Sequence, residues 1–417
     1  MGVYALISII IALAVLVTLL RLKVKIGVSM LASACLVGVL LGVWPADLGK
    51  GLAEEWHSQP LTGTTGYLFV SLTALLLLVN VIGTAMEEIG LSQKLVPAIQ
   101  GLFKSRRFAL ALIPLMMGML PTPGGIMLSA PMVREAGDKI GVERSRLAAI
   151  NFLFRHQWEA VWPLFPAVPL IQSLLGISAL RLFCYHIMLT GAGILVGVIV
   201  LLMFGIPPKR PEHEPAKRHM GYHLMDFFHA FWPIVFTAGL YIGFDVPPAV
   251  GIFFAIIGLL LIHRFPFKRW LSVFKAAREP DMVLLIFGAL FFKLNIETSG
   301  AIGSVVDFLV SVHVPPYLLL FLLPMLVGFA TGVTTPTVAI TYPFLIAFIG
   351  TGPGAKMGLE TLAFSGLLFG LWVTPVHLCL PLSASYFQTS LLKIITKTAL
   401  PAVGVAVAGA LIAFFFG

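Results

Sequence analysis

Charged residues are scarce in this sequence. Only 11% of its 417 residues are Asp, Glu, Lys or Arg, whereas 59% are hydrophobic, and the mean hydropathy is +1.00. In a soluble domain about a quarter of the residues are charged, because its surface has to interact with water. The composition therefore excludes an ordinary soluble enzyme and a disordered chain, and it favours a protein that crosses a membrane several times.

Cysteine is also scarce, and its positions suggest no disulfide framework. Cys35, Cys184 and Cys379 all lie within apolar runs and form neither a Cys-x-x-Cys motif nor a Cys/His metal-binding spacing. We interpret them as buried thiols that behave as small hydrophobic groups. A secretory signal is not expected at the first apolar stretch, residues 3–20, because the basic residues follow it instead of preceding it.

Apolar segments fill most of the chain, which has room for about ten spanning helices of roughly 20 residues each. Two of the segments are interrupted by proline, glycine and threonine, in the stretches LPTPGGIMLSAP and ATGVTTPTVAITYP. The apolar segments are 3–20, 26–43, 67–84, 108–133, 147–175, 178–205, 226–243, 247–263, 281–296, 316–349, 361–390 and 393–416.

The distribution of basic residues predicts which segments cross the membrane. Suppose that segment 108–133 enters and leaves on the cytoplasmic side and segment 316–349 enters and leaves on the outer side. Most of the 27 basic residues then lie on the same face of the membrane. That face is cytoplasmic by the positive-inside rule. If 108–133 crossed, the basic loops 85–107 and 134–146 would lie on opposite sides. We therefore predict ten spans, two re-entrant hairpins and both termini outside, in the cytoplasmic membrane.

The two halves of the chain share an ordered set of residues. Pro114 and Gly118 correspond to Pro324 and Gly328, within IPLMMG and LPMLVG. Further pairs follow in the same order: Glu87 and Glu297, Gly90 and Gly300, Thr122 and Thr334, Ser129 and Thr341, Pro131 and Pro343, Trp158 and Trp372, Pro166 and Pro381. The sequence therefore indicates an internal repeat.

Each repeat has five predicted spans, and an odd number inverts the second repeat in the membrane. Repeat 1 covers residues 1–206, with its broken helix at 147–175, and the Pro-rich stretch 207–225 is a cytoplasmic linker. Repeat 2 covers 226–417, with its broken helix at 361–390. The predicted fold is an all-α integral membrane protein of two inverted repeats, each with five transmembrane helices and one re-entrant hairpin.

This order of three spans, a hairpin, a broken span and a closing span resembles the ion transporter superfamily over essentially the whole chain. That superfamily includes divalent-anion/sodium symporters, gluconate permeases and the large subunit of TRAP transporters. The Ser-Asn-Thr hairpin motif of the symporters is absent, and the tips look closest to a branch catalogued as a domain of unknown function. The resemblance implies an elevator-type carrier that forms a homodimer. The two tips read Thr122, Pro123, Gly124, Gly125 and Thr334, Thr335, Pro336, Thr337.

Arg155 is the strongest candidate for a substrate-binding residue. It lies about eight residues, or roughly 12 Å, into its predicted span, near the middle of a hydrocarbon core of about 30 Å. A guanidinium can hold a carboxylate or phosphate through two parallel hydrogen bonds. Alternatively Glu159, one helical turn later, neutralises it, and both interpretations can hold together. Asn151 lies one turn earlier and either contacts substrate or braces Arg155.

Four further residues are candidates for substrate binding or ion coupling. Glu159 is a candidate proton carrier. His156, as a coupling residue, and His377, as a substrate residue, can titrate near neutrality, although each can also be an interior hydrogen-bonding residue. Thr374, beside the second break, joins the coupling set.

The hairpin tips form a second candidate site. Proline and glycine interrupt a helix and leave backbone groups unpaired. Helix N-termini attract anions, and unwound carbonyls coordinate Na⁺. The alternative is that these residues only form the turn. The predicted substrate residues are Thr122, Gly124, Gly125, Thr334, Thr335 and Thr337, and the predicted coupling residues are Thr122, Pro123, Thr335 and Pro336.

These patterns favour a secondary transporter for a small anionic solute, an organic carboxylate, coupled to Na⁺ or H⁺. We expect no enzymatic activity, no cofactor except a coupling Na⁺, and no nucleic-acid partner. The expected partners are the substrate, membrane lipids and a second copy of the chain. The alternatives are a channel or lipid flippase, and a membrane metalloenzyme that uses His156 and Glu159 as ligands.

Overall fold

A computed structural model of the chain describes residues 2–91, 106–119, 126–204, 206 and 220–417, and its regular elements in these ranges are helices. The helices of the first half are α1 (Gly2–Arg21), α2 (Ile26–Leu40), α3 (Pro45–Ser58), α4 (Thr65–Glu88), α5 (Arg106–Met117), α6 (Ile126–Asp138), α7 (Arg144–Arg155), α8 (Ala167–Leu175) and α9 (Ala179–Gly197). Those of the second half are α10 (Met220–Phe244), α11 (Pro248–Ile262), α12 (Phe267–Ala276), α13 (Pro280–Thr298), α14 (Ala301–Ser311), α15 (Pro316–Thr331), α16 (Thr334–Ile349), α17 (Met357–Val373), α18 (Cys379–Tyr386) and α19 (Leu391–Phe416).

Several of these helices are long and apolar enough to cross a membrane, as expected for a multi-pass membrane protein. Within the described ranges there are four: α1, α4, α19, and α9 with its π-helical continuation to Met203. The pairs α2–α3 and α13–α14, bent by 101° and 70°, bring the number to six if each pair is one span. Helices such as α11, α15 and α17 are apolar but shorter than 18 residues, so the ten spans stay a prediction.

Serine and threonine define where three of the long helices begin. Thr64, Ser178 and Ser390 precede α4, α9 and α19, and each side-chain oxygen accepts a hydrogen bond from a backbone N–H in the first turn, at 3.3 to 3.4 Å. Such N-caps satisfy one of the donors that a helix start leaves unpaired. The boundaries of these helices are therefore encoded locally in the sequence.

The order of helices in the second half repeats the order of the described helices in the first. In both halves a pair of helices, α5–α6 or α15–α16, precedes an interrupted helix and a long closing helix. All four paired helices contain an internal proline: Pro114, Pro131, Pro324 and Pro343. These four prolines, which the sequence matches in pairs, therefore occupy matching helices. The linker prediction lies mostly outside the described residues, since 207–219 are not among them.

The interrupted helices lie in the interior of the protein. α7, α16 and α17 are buried on nearly all sides, which is typical of core elements and not of surface helices. α7 packs against α5, α6 and α19, while α17 packs against α15, α16 and α19. The outer helices α1 and α19 expose apolar side chains. The break after α7 is thus shielded by protein, which is where non-helical backbone is tolerated at membrane depth. The break after α17 is partly exposed, at Pro375 and Leu378.

Candidate functional site

The two interrupted helices bring their breaks together. α7 ends at Arg155 and continues as a 3₁₀ turn, His156–Glu159, before α8 begins at Ala167. In the second half, α17 ends at Val373 and α18 begins only at Cys379. The Nε2 atoms of His156 and His377 lie 2.9 Å apart. The sequence suggests the two histidines as separate candidates. Their contact therefore joins the two breaks.

In both histidine rings, Nδ1 is hydrogen-bonded to a backbone carbonyl. Nδ1 of His156 lies 2.6 Å from the carbonyl oxygen of Phe152, and Nδ1 of His377 lies 2.6 Å from that of Gly332. Because a carbonyl only accepts, each Nδ1 carries the proton. In neutral rings the two Nε2 lone pairs then face each other. This arrangement is favourable only when a proton or a metal ion lies between them.

Arg155 is buried beside these histidines and is anchored to the first helix pair. Its Nη1 donates to the carbonyl oxygen of Met117, the last residue of α5, at 2.8 Å, and the side chain is 5% exposed. Glu159 and Cys379 lie within electrostatic range of its guanidinium. The structure therefore places the predicted substrate residue at the end of α5 and at the first break.

Glu159 is buried at the same place. Its Oε1 lies 3.9 Å from Nε2 of His156. Within the part of the chain that the structure describes, its Oε2 is buried and accepts no hydrogen bond. A buried carboxylate oxygen is normally hydrogen-bonded, so this atom is available to a ligand.

The hydrogen bonds of Asn151 go to α6, so the bracing of Arg155 that the sequence offers as one of two possibilities stays a prediction. Its Nδ2 donates to the carbonyl oxygen of Ile126 at 3.2 Å, and its Oδ1 accepts from the hydroxyl of Ser129 at 2.6 Å. Both groups of the amide are thus used by α6. Its substrate role stays a prediction.

The tip of the second helix pair lies close to the second break. Thr334, Thr335 and Thr337 are buried in the first turn of α16, which also contains Pro336. The hydroxyl of Thr337 donates to the carbonyl oxygen of Val333 at 2.7 Å. Gly332, between α15 and α16, accepts from the ring of His377, which connects the tip to the histidine pair.

The remaining predicted site residues are Thr374 and the four residues of the first tip. Thr374 donates to the carbonyl oxygen of Phe329 and accepts from the N–H of Val376 at 3.2 Å, so it ties the second break to α15. Four residues of the first tip lie outside the described residues, namely Thr122, Pro123, Gly124 and Gly125.

Gly332 has a backbone conformation that L-residues rarely adopt. Its φ is +68°, and an added Cβ would lie 2.8 Å from the backbone nitrogen of His377. We expect Gly332→Ala to destabilise the protein by about 1–3 kcal/mol, from left-handed strain and overpacking. A lowered thermal unfolding midpoint in detergent would be the readout. Gly239→Ala is the matched control, because an added Cβ there meets nothing within 4 Å; an equal loss in both variants would contradict the account.

A buried network that no sequence motif marks lies near the first break. Nε2 of His186 is 2.8 Å from Oε2 of Glu360, and the hydroxyl of Tyr342 donates to Oε1 of Glu360 at 2.7 Å. Nδ1 of His186 faces the carbonyl oxygen of Ala160, and His186, Tyr342 and Glu360 are inaccessible to solvent. The sequence shows only His186 alone within an apolar segment and Glu360 immediately before another.

The interpretation of the three cysteines as buried thiols is wrong, since Cys35 and Cys184 are exposed and Cys379 is half-buried. Cys379 also has neighbours that can bind a metal. Its Sγ and one ring nitrogen each of His156 and His377 all lie within 4.8 Å of one another. The sequence shows only His377-x-Cys379, a spacing too short to match a usual metal motif. The third residue comes from the other half of the chain, which no local motif can reveal.

Comparison with protein families identifies the chain. A family model described as "Protein of unknown function (DUF401)" matches residues 3–415. The chain belongs to the DUF401 family. The expectation of a family of unknown function is therefore confirmed, whereas membership of the ion transporter superfamily stays a prediction. A search of curated proteins finds no match. Because the DUF401 match spans both halves, both breaks and the whole histidine contact lie within the family's domain.

Proposed function

We propose that this DUF401 protein is a secondary transporter that moves a small anionic solute, an organic carboxylate, across the cytoplasmic membrane. The main support for this proposal is the position of Arg155. It is a buried cation at the point where the breaks of the two halves meet. Ionisable residues within membrane segments are costly and are usually functional. Interrupted helices near the membrane midplane are where many transporters bind substrate.

The repeated order of helices supports alternating access over a channel or a lipid flippase. We infer ten spans in two inverted repeats, as in the ion transporter superfamily, with both termini outside. The paired, interrupted and closing helices of each half, α5–α9 and α15–α19, would move as an elevator. The remaining helices would form the scaffold of a homodimer.

The coupling ion of this transporter is Na⁺ or H⁺. The buried pair of His186 and Glu360, joined at 2.8 Å, is a place where a proton can reside in the interior. The threonine hydroxyls at the start of α16, beside Gly332, provide oxygen atoms for Na⁺. Substrate-driven proton movement in Na⁺-free vesicles would favour the first arrangement.

A ligand screen tests the anion specificity. Small carboxylates, sulfonates and phosphonates, each with and without Na⁺, are added to the purified chain, and the thermal unfolding midpoint is measured. A ligand at 100 times its Kd stabilises the folded state by about 2.7 kcal/mol. We expect at least one carboxylate to raise the midpoint of the wild-type protein. Arg155→Ala should abolish that shift, whereas Arg144→Ala, at an exposed position, should retain it. A shift that persists in Arg155→Ala would contradict the proposal.

Cysteine labelling tests the inferred topology. In a chain without Cys35, Cys184 and Cys379, we expect Lys139→Cys to react with an impermeant maleimide only from the cytoplasmic side. Lys356→Cys should react only from outside. Both positions are exposed, so accessibility to the reagent is comparable. Labelling of both from the same side would refute the assignment of the first hairpin.

A further inference from the structure

We propose that the contact between the two breaks is a transition-metal site, in which His156, His377 and Cys379 are ligands and Glu159 completes the set. The ligand atoms of the two histidines and the cysteine lie within 4.8 Å of one another. The site does not depend on the proposed transport, because metal binding is measured on the protein alone.

The orientation of the histidine rings matches that of metal ligands. A metal-bound histidine almost always donates its second ring N–H to a carbonyl or carboxylate. Nδ1 of His156 and of His377 each face a carbonyl at 2.6 Å, so both Nε2 lone pairs converge. In a tetrahedral site, metal–nitrogen bonds of about 2.0–2.1 Å place two nitrogens about 3.3–3.4 Å apart. The observed separation is 2.9 Å, so the two rings move apart by about 0.4 Å when the metal binds.

Glu159 supplies the independent sign of a missing ligand. Its side chain is 5% exposed, and within the described residues its Oε2 has no hydrogen-bond partner. Its Oε1 lies 3.9 Å from Nε2 of His156. A cation bound between them would compensate both the facing lone pairs and this oxygen, which are otherwise buried at a cost. Glu159 then acts as a metal ligand instead of the proton carrier that the sequence suggests.

The donor set selects the class of metal. Two imidazoles, a thiolate and a carboxylate suit Zn²⁺ and related first-row ions, whereas Mg²⁺ and Ca²⁺ prefer oxygen alone. A divalent ion with Cys379 as thiolate and Glu159 as carboxylate has no net charge, which limits the cost of burial. The metal then compensates the charge of Glu159, so Arg155, beside this neutral centre, does not have to neutralise that carboxylate.

Metal content and a cobalt spectrum test the site directly. The full chain is purified without a polyhistidine tag, stripped with a chelator and titrated with Co²⁺. We expect about one Co²⁺ per chain with the visible absorption of a four-coordinate site and a thiolate charge-transfer band. Added Zn²⁺ should remove both. Absence of such a spectrum, as expected if only a proton joins the two rings, would overturn the proposal.

Matched variants assign the ligands. Cys379→Ser should lose the thiolate band and His377→Gln should weaken Co²⁺ binding by about 100-fold, while helical circular dichroism confirms the fold. Cys184→Ser and His313→Gln change the same residue types at exposed positions outside the cluster and should bind as the wild type does. Wild-type Co²⁺ spectra in Cys379→Ser and His377→Gln would show adventitious binding and refute the site.

Discussion

Replacing Arg155 by alanine is expected to abolish transport and leave the helical fold in place. The change removes the buried cation beside the two breaks, together with its hydrogen bond to the carbonyl of Met117. A hydrogen bond to a charged group contributes about 1.5–3 kcal/mol, so the loss of a two-bond anion contact weakens binding by roughly 100-fold or more. Uptake of the ligand found in the screen, measured in proteoliposomes, is the readout.

Two further variants separate the guanidinium from its charge. Arg155→Lys keeps the charge but loses the planar pair of donors, so we expect transport between wild type and alanine. Arg144→Ala removes an exposed arginine of the same helix and should transport normally. Full transport by Arg155→Ala would refute its role as the anion contact.

Replacing His186 by leucine is expected to lower the stability of the folded protein more than Gly332→Ala does. Glu360 would lose its histidine partner in a position without solvent access, and Tyr342 would be its remaining donor among the described residues. Removing one partner of a buried pair costs about 3–5 kcal/mol, because the other charge is left uncompensated. The thermal unfolding midpoint and the monodisperse fraction in detergent should both fall.

A second replacement should restore most of this stability. In His186→Leu with Glu360→Gln, no buried charge remains, and the new amide oxygen still accepts from Tyr342. Removal of both charges of a buried pair is often close to neutral. If the double variant were as unstable as His186→Leu alone, packing and not electrostatics would explain the loss.

Composition and charge distribution predicted the general class of the fold. The low charged fraction and the apolar segments indicated a helical multi-pass membrane protein, and the described helices agree. The number of spans was harder to predict, because hydropathy does not show where a segment is interrupted. The apolar segment 316–349 becomes α15 and α16, two helices of 16 residues each, and neither alone reaches the length of a usual span.

The candidate site was predictable where a residue's own position was unusual. Arg155, His156 and Glu159 stand out because they interrupt an apolar segment. Contacts between distant parts of the chain were not predictable, since His156 and His377 are 221 residues apart. Their meeting depends on how the two breaks pack.

Isolated ionisable residues within or beside apolar segments were the hardest to interpret. His186 and Glu360 each occur alone, and only tertiary packing pairs them. The same holds for Cys379, whose two histidine neighbours come from different halves of the chain.

Accumulation against a gradient is the most direct test of the proposed transport. Proteoliposomes containing the full chain are loaded without ligand, given the anion found in the screen, and subjected to a Na⁺ or H⁺ gradient. We predict that the internal concentration exceeds the external one while the gradient lasts and falls to equality when an ionophore removes it. Uptake that stops at equal concentrations, with or without the gradient, would contradict the account and indicate a channel.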